Sequence, residues 1–281
     1  MLPLLPVLAL WLGGCDCKSV ISSQPTTGSL RLGGSTTVFP LAKATAEAFT
    51  RSHPEVSFDI RQSSTGDGLR AFIEGELDIA DATRPPLEQE IALAAGKGKN
   101  LYLTVIAYDA VAVLVNAQNP ITNLKVRELK GIFFGGETTD WAQLVPGTKS
   151  RAIHVYHTSS VDSGTAELFN HRVIGQQPAI YVPGSVEIHR TPEVVTRVRQ
   201  DQDAIAYSPL KWAGPGVKVL PIDGVEPTEQ TCLDGTYPFA RKLLFVTDGP
   251  PTGAVRDYVS FVLGITSQQT IVRQQGFIPI F

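Results

Sequence analysis

A chain of 281 residues, 43% hydrophobic and 18% charged, is long and apolar enough to bury a full core as one large or two modest domains. Its net charge of −3 gives no support to nucleic acid binding or to docking on an anionic membrane surface. An anionic ligand would therefore have to be held by hydroxyls and backbone dipoles rather than by bulk positive charge. There is no internal repeat and no low-complexity tract. Helix-like and strand-like stretches alternate throughout, which places the chain in the α/β class.

The first twelve residues are almost wholly apolar, too short a run to span a bilayer and about the length of a signal-peptide apolar region. They end in Leu12-Gly13-Gly14-Cys15, which resembles the lipobox of bacterial lipoproteins. That resemblance implies cleavage before Cys15 and lipidation of its sulfur, although no Lys or Arg precedes the apolar run. Asp16 resembles the signal for retention at an inner membrane. The polar, breaker-rich residues after it are expected to be a flexible tether. Cys17 and Cys232 could pair in an oxidising compartment, but two Cys far apart in sequence say little.

Residues 29–32 alternate as a strand and run into Gly33-Gly34-Ser35-Thr36-Thr37-Val38-Phe39-Pro40. Leu41, Ala44, Ala48 and Phe49 then recur at helical spacing until Ser52-His53-Pro54. Helix capping would explain one of the three hydroxyls at 35–37, not all of them. The unit repeats: a strand at 56–61, the loop Ser63-Ser64-Thr65-Gly66-Asp67-Gly68, and a short helix ending at Gly75. A short buried strand at 77–80 leaves through Thr83-Arg84-Pro85. Strands joined by helical crossovers imply parallel sheets, whose ligands sit beyond the carboxyl ends of the strands, where all three loops fall.

Residues 101–116 are rich in β-branched side chains and are expected to form two strands, or one long strand passing between lobes. A helix with a strand-like end is expected at 124–134, a loop carrying Trp141 at 135–147 and a strand at 153–157. That strand feeds Ser163-Gly164-Thr165, which opens a helix ending at Gly175. The free N–H groups of a helix start suit an anion. A helix at 192–200, strands at 204–207, 217–220 and 241–246, and closing helices at 254–263 and 267–275 complete the chain.

Together these residues resemble the substrate-binding protein of the phosphate ABC importer. The loop 33–40, Ser64-Thr65-Gly66-Asp67-Gly68-Leu69, residues 74–85, Ser163-Gly164-Thr165, Ala204-Ile205-Ala206-Tyr207, Tyr237-Pro238-Phe239-Ala240-Arg241 and Gly276-Phe277-Ile278-Pro279 follow that family's order and spacing. The resemblance implies a two-lobed type II periplasmic binding protein, or Venus-flytrap, fold. Such a protein captures inorganic phosphate between its lobes and delivers it to an ABC permease. It also implies a monomer, with no metal and no cofactor. The ligand residues it implies are Ser35, Thr36, Thr37, Ser64, Thr65, Thr83, Ser163, Gly164 and Thr165. The expected division is a signal peptide at 1–14, a lipidated Cys and tether at 15–28, lobe I at 29–110 and 212–281, and lobe II at 111–211. The chain crossings are expected near 106–114 and 206–216.

Two departures bear on the ligand. Many members of that family carry an Asp where Thr83 stands, and it accepts the proton of hydrogen phosphate. Many carry an Arg four residues before the Ser of Ser-Gly-Thr, where this chain has Ser159, and a Gly where it has Asp162. Arg84 is the expected substitute for that missing cation. Sulfate or molybdate is thus an alternative ligand, and a lipid-anchored sensory or adhesive module contacting a protein partner is an alternative role. Enzyme signatures are weak. There is no Gly-x-Ser-x-Gly elbow, and Ser208-x-x-Lys211 lacks a helix signal and a Lys-Thr-Gly partner. His154 and His157, three apart on a strand, face opposite sides and do not share a metal easily.

Overall fold

The computed structural model describes residues 27–158, 163–175 and 179–281. Cys15, Cys17, Ser159 and Asp162, together with the expected signal peptide, lie outside the described residues.

β1 (Gly28–Ser35) passes through Thr36 and Thr37 into α1 (Phe39–Ser52). Leu41, Thr45, Ala46 and Phe49 form the buried face of α1, and Pro40 occupies its first turn, where a missing N–H costs nothing. β2 (Val56–Ser63), α2 (Thr65–Ile73), β3 (Ile79–Ala82) and α3 (Glu88–Gly96) follow. α3 buries only Ala94, so it has no apolar stripe to announce it in the sequence. β4 (Leu101–Asn116) is a single strand of 16 residues. After it come α4 (Val126–Lys130) and one π-helical turn, Gly131–Gly135. The apolar run expected to end as a strand is that turn, which buries Ile132 and Phe133 in helical geometry.

β5 (His154–His157), α5 (Gly164–Ile174), β6 (Val186–Glu187), α6 (Thr191–Gln200), β7 (Ala204–Pro209) and β8 (Val217–Leu220) build the next section. α7 (Glu229–Leu233), β9 (Ala240–Asp248), α8 (Gly253–Leu263) and α9 (Ile265–Ser267) close the chain.

The strands run in the order β2-β1-β3-β9-β4-β7-β5-β6, with β8 also paired to β4. β1 is parallel to β2 and β3, and β5 is parallel to β7 and β6, as helical crossovers require. β9 and β4 are antiparallel members between these two groups. β4 belongs to both. Its first part pairs with β9 from Leu101↔Asp248 to Ala110↔Ala240, and its second part pairs with β7 from Val111↔Pro209 to Val115↔Ile205. A change of partner along one strand is what lets it serve two cores.

Those cores are distinct. One side packs Leu32, Phe49, Phe245 and Tyr258 between α1, α8 and the sheet, with Leu69 and Phe72 of α2 on its other face. The other side packs Phe133, Trp141, Phe169, Tyr207, Tyr237 and Phe239, with Val194, Val195 and Val198 of α6 on its other face. Leu220 of β8 and Cys232 of α7 belong to this second core, not to the core of residues 29–110. Residues 212–239 thus pack with the second core, and from about 240 β9 takes up its pairing with the first part of β4. The reason is β8. It adds to the second part of β4 and so carries residues 212–239 with it.

Candidate functional site

Parallel pairing gathers the first three loops. In the registers Ser35↔Ser63 and Gly34↔Asp81, β1, β2 and β3 end side by side, so the turns that leave them share one edge. Gly34 and Gly68 then let backbone meet backbone. A Cβ on Gly68 would lie 2.4 Å from the Gly34 Cα, and one on Gly34, which has φ +134, would lie 2.2 Å from the Asp81 carbonyl oxygen.

The hydroxyls differ in what they have left to offer. Ser35 is buried, and its Oγ accepts from the Thr37 N–H at 3.2 Å, while the α1 N-cap, Val38, supplies no side-chain cap. Thr65 Oγ1 accepts from the Thr83 N–H at 3.2 Å and lies 3.2 Å from Thr83 Oγ1, which ties the second loop to the third. Ser64 is the N-cap of α2: it accepts from the Asp67 N–H at 3.1 Å and donates to Asp67 Oδ2 at 2.8 Å. Its proton is already committed. Ser163 is the N-cap of α5 and accepts from the Ala166 N–H at 3.2 Å and from Thr158 Oγ1 at 3.0 Å. With both acceptor lone pairs occupied, its own O–H has no acceptor among the described residues.

The fourth loop reaches the first across the molecule. A Cβ on Gly164 would lie 2.2 Å from Thr37 Oγ1 and 3.6 Å from Thr36 Oγ1, so only glycine allows the start of α5 to approach this closely. Ser35, Thr36, Thr37, Ser163 and Gly164 are thus brought together, with Thr65 and Thr83 linked to the same edge through β1–β3. Thr165 follows in the first turn of α5.

Arg84, the expected substitute cation, has a fixed partner of its own. Its guanidinium donates to both Glu90 oxygens, at 2.8 and 2.9 Å, and to the Pro85 carbonyl at 3.1 Å. Burial alone would raise the Glu90 carboxyl. The Arg84 bonds and the Leu87 N–H outweigh it and hold that carboxyl below its ordinary range. The Arg84 charge is therefore largely offset by a fixed partner, although the side chain still stands over Gly66, whose added Cβ would be 3.5 Å from Nη2.

The cation at the meeting point of the loops is Arg241. It lies in β9 directly opposite Asp109 of β4, and both side chains are 6% exposed. Arg241 Nε and Nη2 each reach Asp109 Oδ2 at 3.1 Å, and Nη2 also donates to Thr37 Oγ1 at 2.9 Å. A Cβ on Gly164 would be 3.4 Å from Nη2. The sequence contains Arg241 within its resemblance, but nothing local marks it as a site residue. Its partners are 132 and 204 positions away. Beside Arg241 opens a cavity of about 710 Å³ whose wall includes Thr83, Arg84, Glu167, Arg172 and Lys242.

Behind α5, His157 stacks on Tyr181 with ring centroids 3.7 Å apart, and burial pushes its imidazole below the ordinary value. His154, on the opposite side of β5, pairs instead with Asp201 at 2.8 Å. Among the described residues no group of His, Cys, Asp and Glu is placed to hold a metal ion, and no helix is long and apolar enough to cross a membrane.

A family model described as a PBP superfamily domain matches residues 19–264. The chain belongs to the PBP superfamily. Protein SphX of Synechococcus elongatus is 30% identical over 262 residues, covering 88% of this chain and 76% of SphX. Among solved structures, one described as a possible phosphate binding protein from Planctomyces limnophilus superposes with a TM-score of 0.76. It is 26% identical and covers 91% of this chain and 94% of its own. Another, assigned as a phosphate ABC transporter substrate-binding protein from Clostridium perfringens and solved with bound phosphate, has a TM-score of 0.68 and 28% identity. It covers 90% of this PBP-superfamily chain and all (100%) of its own. The fold is that of the type II periplasmic binding proteins.

Proposed function

We propose that this protein is an extracytoplasmic receptor that captures inorganic phosphate between two lobes and delivers it to an ABC permease. The observation that carries the proposal is the meeting of Thr36 and Thr37 with the N-terminus of α5 at Gly164, beside the Arg241 guanidinium. Hydroxyl protons, first-turn N–H groups and one fixed cation are the donors a small tetrahedral oxyanion needs. In this reading lobe I comprises residues 28–110 and 240–281, and lobe II residues 111–239. The receptor acts as a monomer that binds rather than transforms its ligand, and Cys15 carries the lipid that holds it to the cytoplasmic membrane.

A second oxyanion is the competing ligand, because Thr83 presents a hydroxyl engaged with Thr65, not a carboxylate that could accept a proton from hydrogen phosphate. Calorimetric titration of the protein with phosphate, sulfate and molybdate at neutral pH decides between them. Micromolar or tighter phosphate binding that a large excess of sulfate does not displace supports the proposal. Tighter binding of sulfate or molybdate, or of none of the three, overturns it.

A further inference from the structure

We propose that Arg241, held by Asp109, is the residue that grips the bound oxyanion in this chain, taking the place of the arginine that Ser159 does not supply. This rests on the oxyanion reading of the cleft. A guanidinium has five N–H donors. Arg241 uses the Nε edge and Nη2 on Asp109 and Thr37, and among the described residues Nη1 has no hydrogen-bond partner. Nη1 is not one of the side-chain atoms buried without a partner, so its donors are open to a small ligand from the cavity that Arg241 lines. Arg241 also lines the 710 Å³ cavity, so an ion reaching that side meets it.

Position singles it out from the other cations of that cavity. Arg84 is doubly bonded to Glu90. Arg241 alone among the cavity-lining cations is bonded to a hydroxyl of the first loop, and it also stands against the start of α5. Its anchor is rigid as well. Strand pairing fixes Asp109 opposite Arg241, and with the carboxylate on the Nε edge and Thr37 on Nη2, the Nη1 donors are left for an oxyanion. Asp109 also offsets the charge, so that the empty cleft does not contain an unpaired buried cation. Burying such a pair gives little net stability, which is consistent with a role in ligand capture.

The test is phosphate calorimetry on four proteins: wild type, Arg241→Lys, Asp109→Asn/Arg241→Gln, and Arg84→Gln. The double variant replaces the ion pair by neutral groups, so it avoids stranding Asp109. Near-ultraviolet circular dichroism of each apo protein confirms the fold. The expected result is a 10- to 100-fold weaker Kd for Arg241→Lys and for the double variant, about what loss of a charge-assisted hydrogen bond costs, and a change under threefold for Arg84→Gln. Wild-type binding with a folded double variant that stays within threefold of it overturns the assignment, as does a larger loss in Arg84→Gln than in Arg241→Lys. Absence of any oxyanion binding by the wild type instead overturns the underlying reading of the cleft.

Discussion

Asp81 sits one strand away from the cleft with both carboxylate oxygens buried and, among the described residues, without a hydrogen-bond partner. Burial pushes its carboxyl from an ordinary 3.8 up to about 8. Near neutral pH the folded protein therefore holds a proton that the unfolded chain has released. A raised carboxyl contributes stability that is complete below pH 4 and is lost as pH rises through about 8. In that window the slope is at most ~1.4 kcal/mol per pH unit. Urea unfolding at pH 5 and pH 8 should show the wild type losing at least ~1 kcal/mol more than Asp81→Asn between the two conditions. Parallel losses in the two proteins would remove Asp81 from the account. Nothing in Asp78-Ile79-Ala80-Asp81 tells which Asp is the buried one. Asp78 pairs with Arg31 at 2.8 Å near the surface, and only strand register turns Asp81 inward.

At the scale of elements, two helices start with the same device and are expected to differ in function. Ser64 caps α2 and Ser163 caps α5, and replacing either by Ala should cost about 1 kcal/mol of stability. Ser64 gives its proton to Asp67, whereas Ser163 is an acceptor twice and its proton has no acceptor among the described residues. Ser163→Ala should therefore weaken phosphate binding at least tenfold and Ser64→Ala by less than threefold, at similar losses of Tm. Equal effects on affinity would mean that local hydrogen bonding does not decide which hydroxyls serve the ligand. Much of this level was legible in the sequence. The apolar periodicity of α1 and α2, the start and stop signals of α5 and the β-branched run of β4 come from local pattern, and local pattern survives folding. What local pattern cannot carry is the antiparallel insertion of β9 between β3 and β4. That insertion is why the Asp109–Arg241 pair was invisible and why the boundary between the cores lies near 240.

For the whole molecule, the contact between Thr37 and Gly164 is a statement about closure. Thr37 follows β1, whose core contains Leu32 and Phe49, while Gly164 opens α5, whose core contains Phe133 and Phe169. The two meet across the cores here, and a side chain at 164 would hold them apart. Gly164→Ala places a Cβ 2.2 Å from Thr37 Oγ1, a distance that cannot persist, and Thr37 Oγ1 is already bonded to Arg241. The open form carries no such clash, and there Ala in a helix is favoured over Gly by up to ~1 kcal/mol. The substitution should thus shift the population toward open without unfolding the protein, and a ligand can reverse this only by its preference for the closed form. Small-angle scattering at saturating phosphate should find Gly164→Ala with a larger radius of gyration than the wild type, alongside an unchanged or higher apo Tm and at least tenfold weaker binding. Adding Thr37→Ala removes the opposing oxygen and should restore the contraction without fully restoring affinity. If Gly164→Ala contracts like the wild type, the Thr37–Gly164 contact does not limit closure.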